Sequence, residues 1–184
     1  YIISEDGRYR PYGGFKMFGT HTGRCAPSSK WIFGTAKWGR NFMKPSYGNC
    51  LVYLDYKSEE PFISARLSGD KALEDAYNSG DIYLHTAKLA GLAPANATKK
   101  THGDIRKVFK VIVLASNYGM GVRSISKSLK KYNINASEAA GLLKRYQEIY
   151  QVYFAWVEDR TNHAQMHGYI STSLGWDRHF AVNS

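Results

Sequence analysis

The sequence predicts an α+β fold, a sheet-based lobe out of which a large helical insertion grows. Three observations predict it. The apolar run Leu51-Val52-Tyr53-Leu54 ends in Asp55 and has the length of a short buried strand. From Lys71 onward the periodicity is mostly helical. After the helices, Tyr169-Ile170-Ser171-Thr172 again reads as a strand. The order is therefore strand, helical insertion, strand.

Residues 1–49 are rich in glycine, aromatic and basic residues and show poor periodicity. After the run ending at Asp55, a helix is predicted to start near Ser58-Glu59-Glu60-Pro61, because proline is tolerated in a first turn. It carries Phe62, Ile63, Arg66 and Leu67 until Ser68-Gly69-Asp70 breaks it. A further helix runs through Tyr83 to Ala90 and stops at Gly91. After a linker from Leu92 to Lys100, Thr101-His102-Gly103-Asp104 matches the capping-box pattern and opens a helix that reaches about Asn117. Tyr118-Gly119-Met120-Gly121 ends it. A short basic helix covers Arg123 to Lys130. A longer one is predicted from about Ser137 to His167, with Ala140, Leu143, Tyr146, Tyr150, Tyr153 and Val157 on one side and Gly168 at its end. A turn at Leu174-Gly175 follows the last strand.

The chain has 184 residues, 43% of them hydrophobic, which is a globular composition. No run of about 18 apolar residues occurs, so no membrane span is expected. Lys and Arg number 25 against 15 Asp and Glu, a net charge of +10 that favours a polyanionic partner such as nucleic acid. Two cysteines, Cys25 and Cys50, form neither a disulfide framework nor a zinc site, and a reducing cytoplasm is the default expectation. The chain starts at Tyr1 without methionine and stops at Asn183-Ser184, so both ends read as cut.

Three constellations carry chemistry. Arg106, Lys110, Leu114 and Tyr118 are spaced i, i+4, i+8, i+12, a row along one helix face that spans about 18 Å. Two cations at one end and a ring at the other suit a nucleoside triphosphate, with the alternative of an amphipathic helix with a solvated basic edge. Asp55, at the end of an apolar run, is a natural oxygen ligand for magnesium, or else a cap for the next turn. In Gly19-Thr20-His21-Thr22-Gly23-Arg24, glycines allow close approach to a ligand and Arg24 can reach phosphate or a groove edge; a plain turn with an exposed arginine is the other reading. The stretch from Lys30-Trp31-Ile32-Phe33 to Lys37-Trp38-Gly39-Arg40 is either a stacking and phosphate surface or core aromatics.

Taken together and in order, these pieces resemble family A DNA polymerases, the polymerase I type, over nearly the whole chain. Thr22-Gly23-Arg24 looks like the Thr-Gly-Arg segment of the palm, and Asp55-Tyr56-Lys57-Ser58-Glu59-Glu60 like motif A, usually Asp-Tyr-Ser-Gln-x-Glu. Leu67-Ser68-Gly69-Asp70 and Ser79-Gly80-Asp81-Ile82 also fall where the family has similar residues. Arg106, Lys110 and Tyr118-Gly119 match motif B, Arg-x3-Lys-x7-Tyr-Gly, and Gly168 to Thr172 resembles the strand that returns to the palm. The resemblance implies part of a palm sheet with a helical fingers insertion: 1–70 in the palm, 71–165 in the fingers, and 166–184 returning to the palm.

It also implies roles. Asp55 would ligate two catalytic magnesium ions, and Glu60 would be the steric gate against a ribose 2′-hydroxyl. Arg106 and Lys110 would hold the triphosphate, with Asp55 and Lys110 the catalytic pair. Leu114 and Tyr83 would complete the substrate contacts, and Tyr118 would lie beside the nascent base pair. Arg24, with Thr22 and Gly119, would contact DNA, Arg24 probing the minor groove, where every base pair presents acceptors. The implied partners are primer-template DNA and deoxynucleoside triphosphates, in the cytoplasm of a bacterium or from a phage. The chain departs from the family at Lys57 and Ser58, at Pro61, at Leu114 (often Phe or Tyr) and at Tyr83 (commonly a triphosphate-contacting His, with His85 nearby). Lys30 and Arg40 are candidates for one further basic contact. Motif C, the His-Asp-Glu segment with the second metal-binding carboxylate, has no match and is expected downstream of residue 184, with the thumb upstream of Tyr1. The expected activity is templated DNA synthesis by a two-metal mechanism, with this chain a fragment inactive alone. The alternatives are a non-catalytic nucleic-acid-binding remnant and a single-subunit RNA polymerase, which Glu60 argues against.

Overall fold

The computed structural model describes residues 2–3, 7, 9–10, 14–20, 22–27 and 36–180. His21, the Lys30–Phe33 part of the aromatic-basic stretch and the terminal Asn183-Ser184 lie outside the described residues. The chain divides into two units, Tyr1–Asp55 and Tyr56–Ser184.

In the first unit, strand β1 (Ile2–Ile3) pairs antiparallel with β2 (Tyr9–Arg10). Likewise β3 (Phe15–Lys16) pairs with β4 (Ala26–Pro27), in the register Phe15 opposite Pro27. A 3-10 turn covers Lys37–Phe42, where Trp38 and Phe42 meet edge to face at 6.2 Å. Leu51–Leu54 corrects the sequence expectation: no strand forms there, and all four side chains are exposed. An extended segment becomes a strand only when a second strand takes up its backbone groups. Among the described residues none does, so the apolar pattern has nothing to bury against.

The second unit is built of seven α-helices, with a 3-10 turn at Lys130–Tyr132, among its described residues. They are α1 (Glu59–Ser68), α2 (Lys71–Asn78), α3 (Ile82–Leu89), α4 (Gly103–Asn117), α5 (Val122–Leu129), α6 (Ala136–Ile149) and α7 (Gln151–His167). A hairpin of β5 (Tyr169–Ser171) and β6 (Asp177–His179) follows, with Ile170 opposite Arg178. The fold is thus mixed, mostly helical with small two-stranded sheets. Leu73, Ala76, Phe109, Ile112, Val113, Ile125, Leu129, Tyr146 and Tyr150 form its core.

Two carboxylates start successive helices. Asp70 accepts from the Leu73 amide of α2 at 3.0 Å, and Asp81 from the Leu84 amide of α3 at 3.3 Å. Such caps satisfy amides with no partner inside the helix. The expected capping box at Thr101–Asp104 is absent. Thr101 instead bonds Thr98 and His102, and Asp104 pairs with Lys107 at 2.8 Å, because α4 begins one residue later than a Thr101 cap requires, with His102 in the N-cap position. A true capping box stands at α6, where Asn135 and Glu138 bond each other's backbone amides at 2.9 and 2.8 Å.

The single helix expected over 137–167 is two. The chain breaks at Tyr150, whose backbone leaves the helical region at φ −114°, ψ 52°. Asp70 explains how the break is tolerated: its second oxygen accepts the Tyr153 amide at 2.9 Å, so one buried carboxylate caps both α2 and α7. The Tyr150 hydroxyl meets Thr86 of α3 at 2.8 Å in the core. Burial pushes Tyr150 up to about 12 and raises Tyr146 and Tyr153 as well.

Candidate functional site

Helix α4 buries Val108, Phe109, Ile112, Val113 and Ala115, and this apolar stripe orients the opposite face outward. On that face stand Arg106, Lys110, Leu114 and Tyr118, as the spacing predicts. Arg106 and Leu114 are half-buried; Lys110 and Tyr118 are exposed. The helix ends in a Schellman turn. The Gly119 amide bonds the Ser116 carbonyl and the Met120 amide bonds the Ala115 carbonyl, both at 2.9 Å. Gly119 has φ +67°, a conformation that a Cβ disfavours, so the glycine after Tyr118 is required by the helix end.

At this end the Tyr118 hydroxyl donates to Glu60 Oε1 at 2.8 Å. Glu60 lies in the first turn of α1, 58 residues away in sequence, so the fold brings together two residues singled out on separate motifs. Pro61, buried as the third residue of α1, does not disturb the helix start. Its N-cap Ser58 takes a left-handed conformation (φ 49°) and, with Lys57, lines a cavity closed by Tyr77, Asn78, Gly80 and Ile82.

At the other end of the α4 face, Arg106 and Lys110 share one ring. The Arg106 guanidinium carbon is 5.2 Å from the Tyr83 ring centroid and Lys110 Nζ is 6.0 Å from it, distances at which a cation is attracted to an aromatic face. Tyr83, buried in the first turns of α3, therefore sits at the feet of both cations. Arg106 Nε also donates to Asp81 Oδ2 at 2.6 Å. His85, two residues on, is half-buried. The Asp81 contact was not read from the sequence. Its N-cap signal, an aspartate before an apolar run, is legible there; its reach across 25 residues to Arg106 is not.

The first unit holds the remaining candidates. The loop at Thr20–Arg24 closes on itself: Thr20 and Gly23 amides bond the Arg24 and Thr20 carbonyls at 3.2 and 3.0 Å, and the Thr20 hydroxyl accepts the Arg24 amide at 2.9 Å and lies 3.1 Å from the Thr22 hydroxyl. Gly19 permits this closure, since a Cβ there would lie 2.6 Å from that of Ala26. Arg40 is exposed on the 3-10 turn. Asp55 is exposed, an oxygen donor of the type magnesium takes. Among the described residues no three His, Cys, Asp or Glu side chains cluster as a metal site, so Asp55 fits as one ligand and not as a complete set.

No described helix is long and apolar enough to cross a membrane. A family model described as DNA polymerase family A matches residues 9–184. The thermostable DNA polymerase I of Thermus filiformis is 31% identical over 134 residues, covering 72% of this chain and 15% of that protein. DNA polymerase I of Mycobacterium tuberculosis is 31% identical over 134 residues, covering 70% of this chain and 14% of that protein. The chain thus spans about one seventh of the length of these curated relatives. Among solved structures, the POL domain of Pol1 from M. smegmatis, in complex with DNA primer-template and dNTP, superposes with a TM-score of 0.74 at 25% identity. That match covers 96% of this chain and 31% of the other.

Proposed function

Because this chain belongs to DNA polymerase family A, we propose that it supplies the nucleotide-binding part of a DNA-directed DNA polymerase. Residues 1–70 contribute to the palm, 71–165 form the fingers, and 166–184 return to the palm. The observation that carries this reading is the exposed face of α4. It presents two cations gathered on one ring at one end, and a tyrosine hydrogen-bonded to a carboxylate at the other.

In this reading Arg106 and Lys110 take the triphosphate, the guanidinium by forked hydrogen bonds and the ammonium as a point charge. Tyr83 supports both cations, and Leu114 lies along the sugar. The Glu60 side chain, its carboxylate held by the Tyr118 hydroxyl, stands against the 2′ position and excludes ribonucleotides. Tyr118 flanks the base pair. Thr22, Arg24 and Gly119 contact primer-template DNA. Holding the nucleotide this way lines up its α-phosphate for the primer 3′-hydroxyl, which is where positioning lowers the barrier. Asp55 would hold magnesium, which when bound supplies charge that stabilises the attacking and leaving oxygens. The second carboxylate is assigned to another part of the polymerase.

The test is primer extension by the product of the full reading frame that contains this chain. Templated extension with deoxynucleotides, lost in Asp55→Ala and weakened in Arg106→Ala, is expected. Primer-template binding without extension would instead establish a non-catalytic binding protein and refute the enzymatic reading.

A further inference from the structure

Arg106 is not simply a cation on a helix face. Its Nε donates to Asp81 Oδ2 at 2.6 Å, and Asp81 Oδ1 in turn accepts the Leu84 amide at 3.3 Å as the N-cap of α3. The side chains are 21% and 29% exposed, so the pair stands where water screens it only in part. Asp81 is thereby fixed at both oxygens, one to the start of α3 and one to the arginine. The Tyr83 ring, on the same turn of α3, lies 5.2 Å from the guanidinium carbon. Arginine side chains have many rotamers, and ordering one costs free energy when a ligand must do it. Here the ordering is already done by two residues of α3.

Which nitrogen is engaged matters. Bonding through Nε leaves both terminal nitrogens and their four N–H groups unused by Asp81, and these form the fork that matches two phosphate oxygens. A phosphate can therefore approach without displacing the carboxylate.

We propose that Asp81 is a positioning residue for the nucleotide: it locks Arg106 through Nε so that its terminal fork is presented, preformed, to phosphate. The inference rests on the assignment of Arg106 to the triphosphate. It makes α3 a working part of the nucleotide site, with its first turn carrying both Asp81 and Tyr83.

The experiment is a double-mutant cycle in the product of the full reading frame, measuring KM and kcat for a deoxynucleoside triphosphate and the affinity for primer-template DNA. Asp81→Asn keeps a good helix cap but replaces the charge-assisted bond with a neutral one. It should raise KM about tenfold, change kcat far less, and leave the affinity for DNA and the unfolding midpoint unchanged. Asp81→Ser, which also caps a helix but is too short to reach Arg106, should do the same and serves if the Asn variant folds poorly. In an Arg106→Ala background neither substitution should raise KM further. An equal rise in both backgrounds, or no rise when Arg106 is present, overturns the role of Asp81 while leaving the assignment of Arg106 intact. An unchanged KM in Arg106→Ala alone overturns that assignment, and the present inference with it.

Discussion

Replacing Asp70 with alanine removes the one buried carboxylate that serves two helices. Its Oδ1 caps α2 through the Leu73 amide at 3.0 Å, and a lost cap of this kind costs about 1 kcal/mol. Its Oδ2 takes the Tyr153 amide of α7 at 2.9 Å, and a hydrogen bond to a charged group contributes about 1.5–3 kcal/mol. Tyr153 is 4% exposed, so water has little access to the amide left behind. The expected loss is about 3 kcal/mol, a large fraction of a typical domain's stability. Asp70→Asn is the sharper perturbation. An asparagine offers one carbonyl oxygen and, beside it, an NH2 group that would face an amide N–H. It can cap α2 or α7 but not both, so it should lose roughly half as much as alanine. Urea unfolding followed by far-ultraviolet circular dichroism reads both variants, provided the slope with denaturant stays constant. A loss below about 1 kcal/mol for Asp70→Ala, or an Asn variant as stable as the parent, would refute the account of one carboxylate capping two helices.

Three further perturbations bear on the site and the core. If the proposed function holds, Lys110→Ala in the product of the full reading frame should raise the KM for nucleotide about tenfold or more and lower kcat, with DNA affinity nearly intact; a collapse of DNA affinity with normal nucleotide kinetics would show that Lys110 serves the template instead. Glu60→Ala should shift the ratio of ribonucleotide to deoxynucleotide use by about tenfold or more, read in competitive incorporation, and an unchanged ratio would move Glu60 away from the sugar. Tyr150→Phe removes the hydroxyl that meets Thr86, at a cost of about 1 kcal/mol near neutral pH, since Thr86 keeps its bond to the Ile82 carbonyl at 2.7 Å. Because burial raises Tyr150 from 10.0 to about 12, the stability it contributes is whole below pH 10 and lost as pH climbs toward 12. The stability gap between the parent and the Phe variant should therefore narrow over that range, and a constant gap would contradict it.

What could be read from the sequence followed local rules. The row Arg106, Lys110, Leu114, Tyr118 lies on one face because helical spacing places it there, and Gly69, Gly91, Gly119 and Gly168 end helices because their termini need such residues. What could not be read was set by partners far away in the chain. The break at Tyr150 depends on an acceptor 83 residues from Tyr153, and no periodicity announces it. Leu51–Leu54 has the composition of a buried strand, but burial depends on a neighbour that composition does not specify. Among the candidate residues, motif spacing singled out Arg106 and Glu60, whereas their contacts with Asp81 and Tyr118 arise only once α4 packs on α3 and its C-terminal end reaches Glu60 of α1. Thr101 shows the reverse error, a capping pattern that matched by chance while α4 started at Gly103.

The uncovered run before Asp55 has a consequence for handling the molecule. Leu51, Val52, Tyr53 and Leu54 are 67–87% exposed, lie outside any helix or strand, and carry no charge to repel a neighbour. That is the signature of a segment prone to edge-to-edge self-association, which natural sheets suppress with charges or prolines. Each copy of the chain offers the same adhesive stretch to every other, so the isolated polypeptide should form soluble aggregates as its concentration rises. Light scattering would register them, and Val52→Lys should reduce them; scattering indifferent to that substitution would place the stickiness elsewhere. An expression strategy that leaves this stretch uncovered thus selects for oligomers before any measurement of nucleotide or DNA begins.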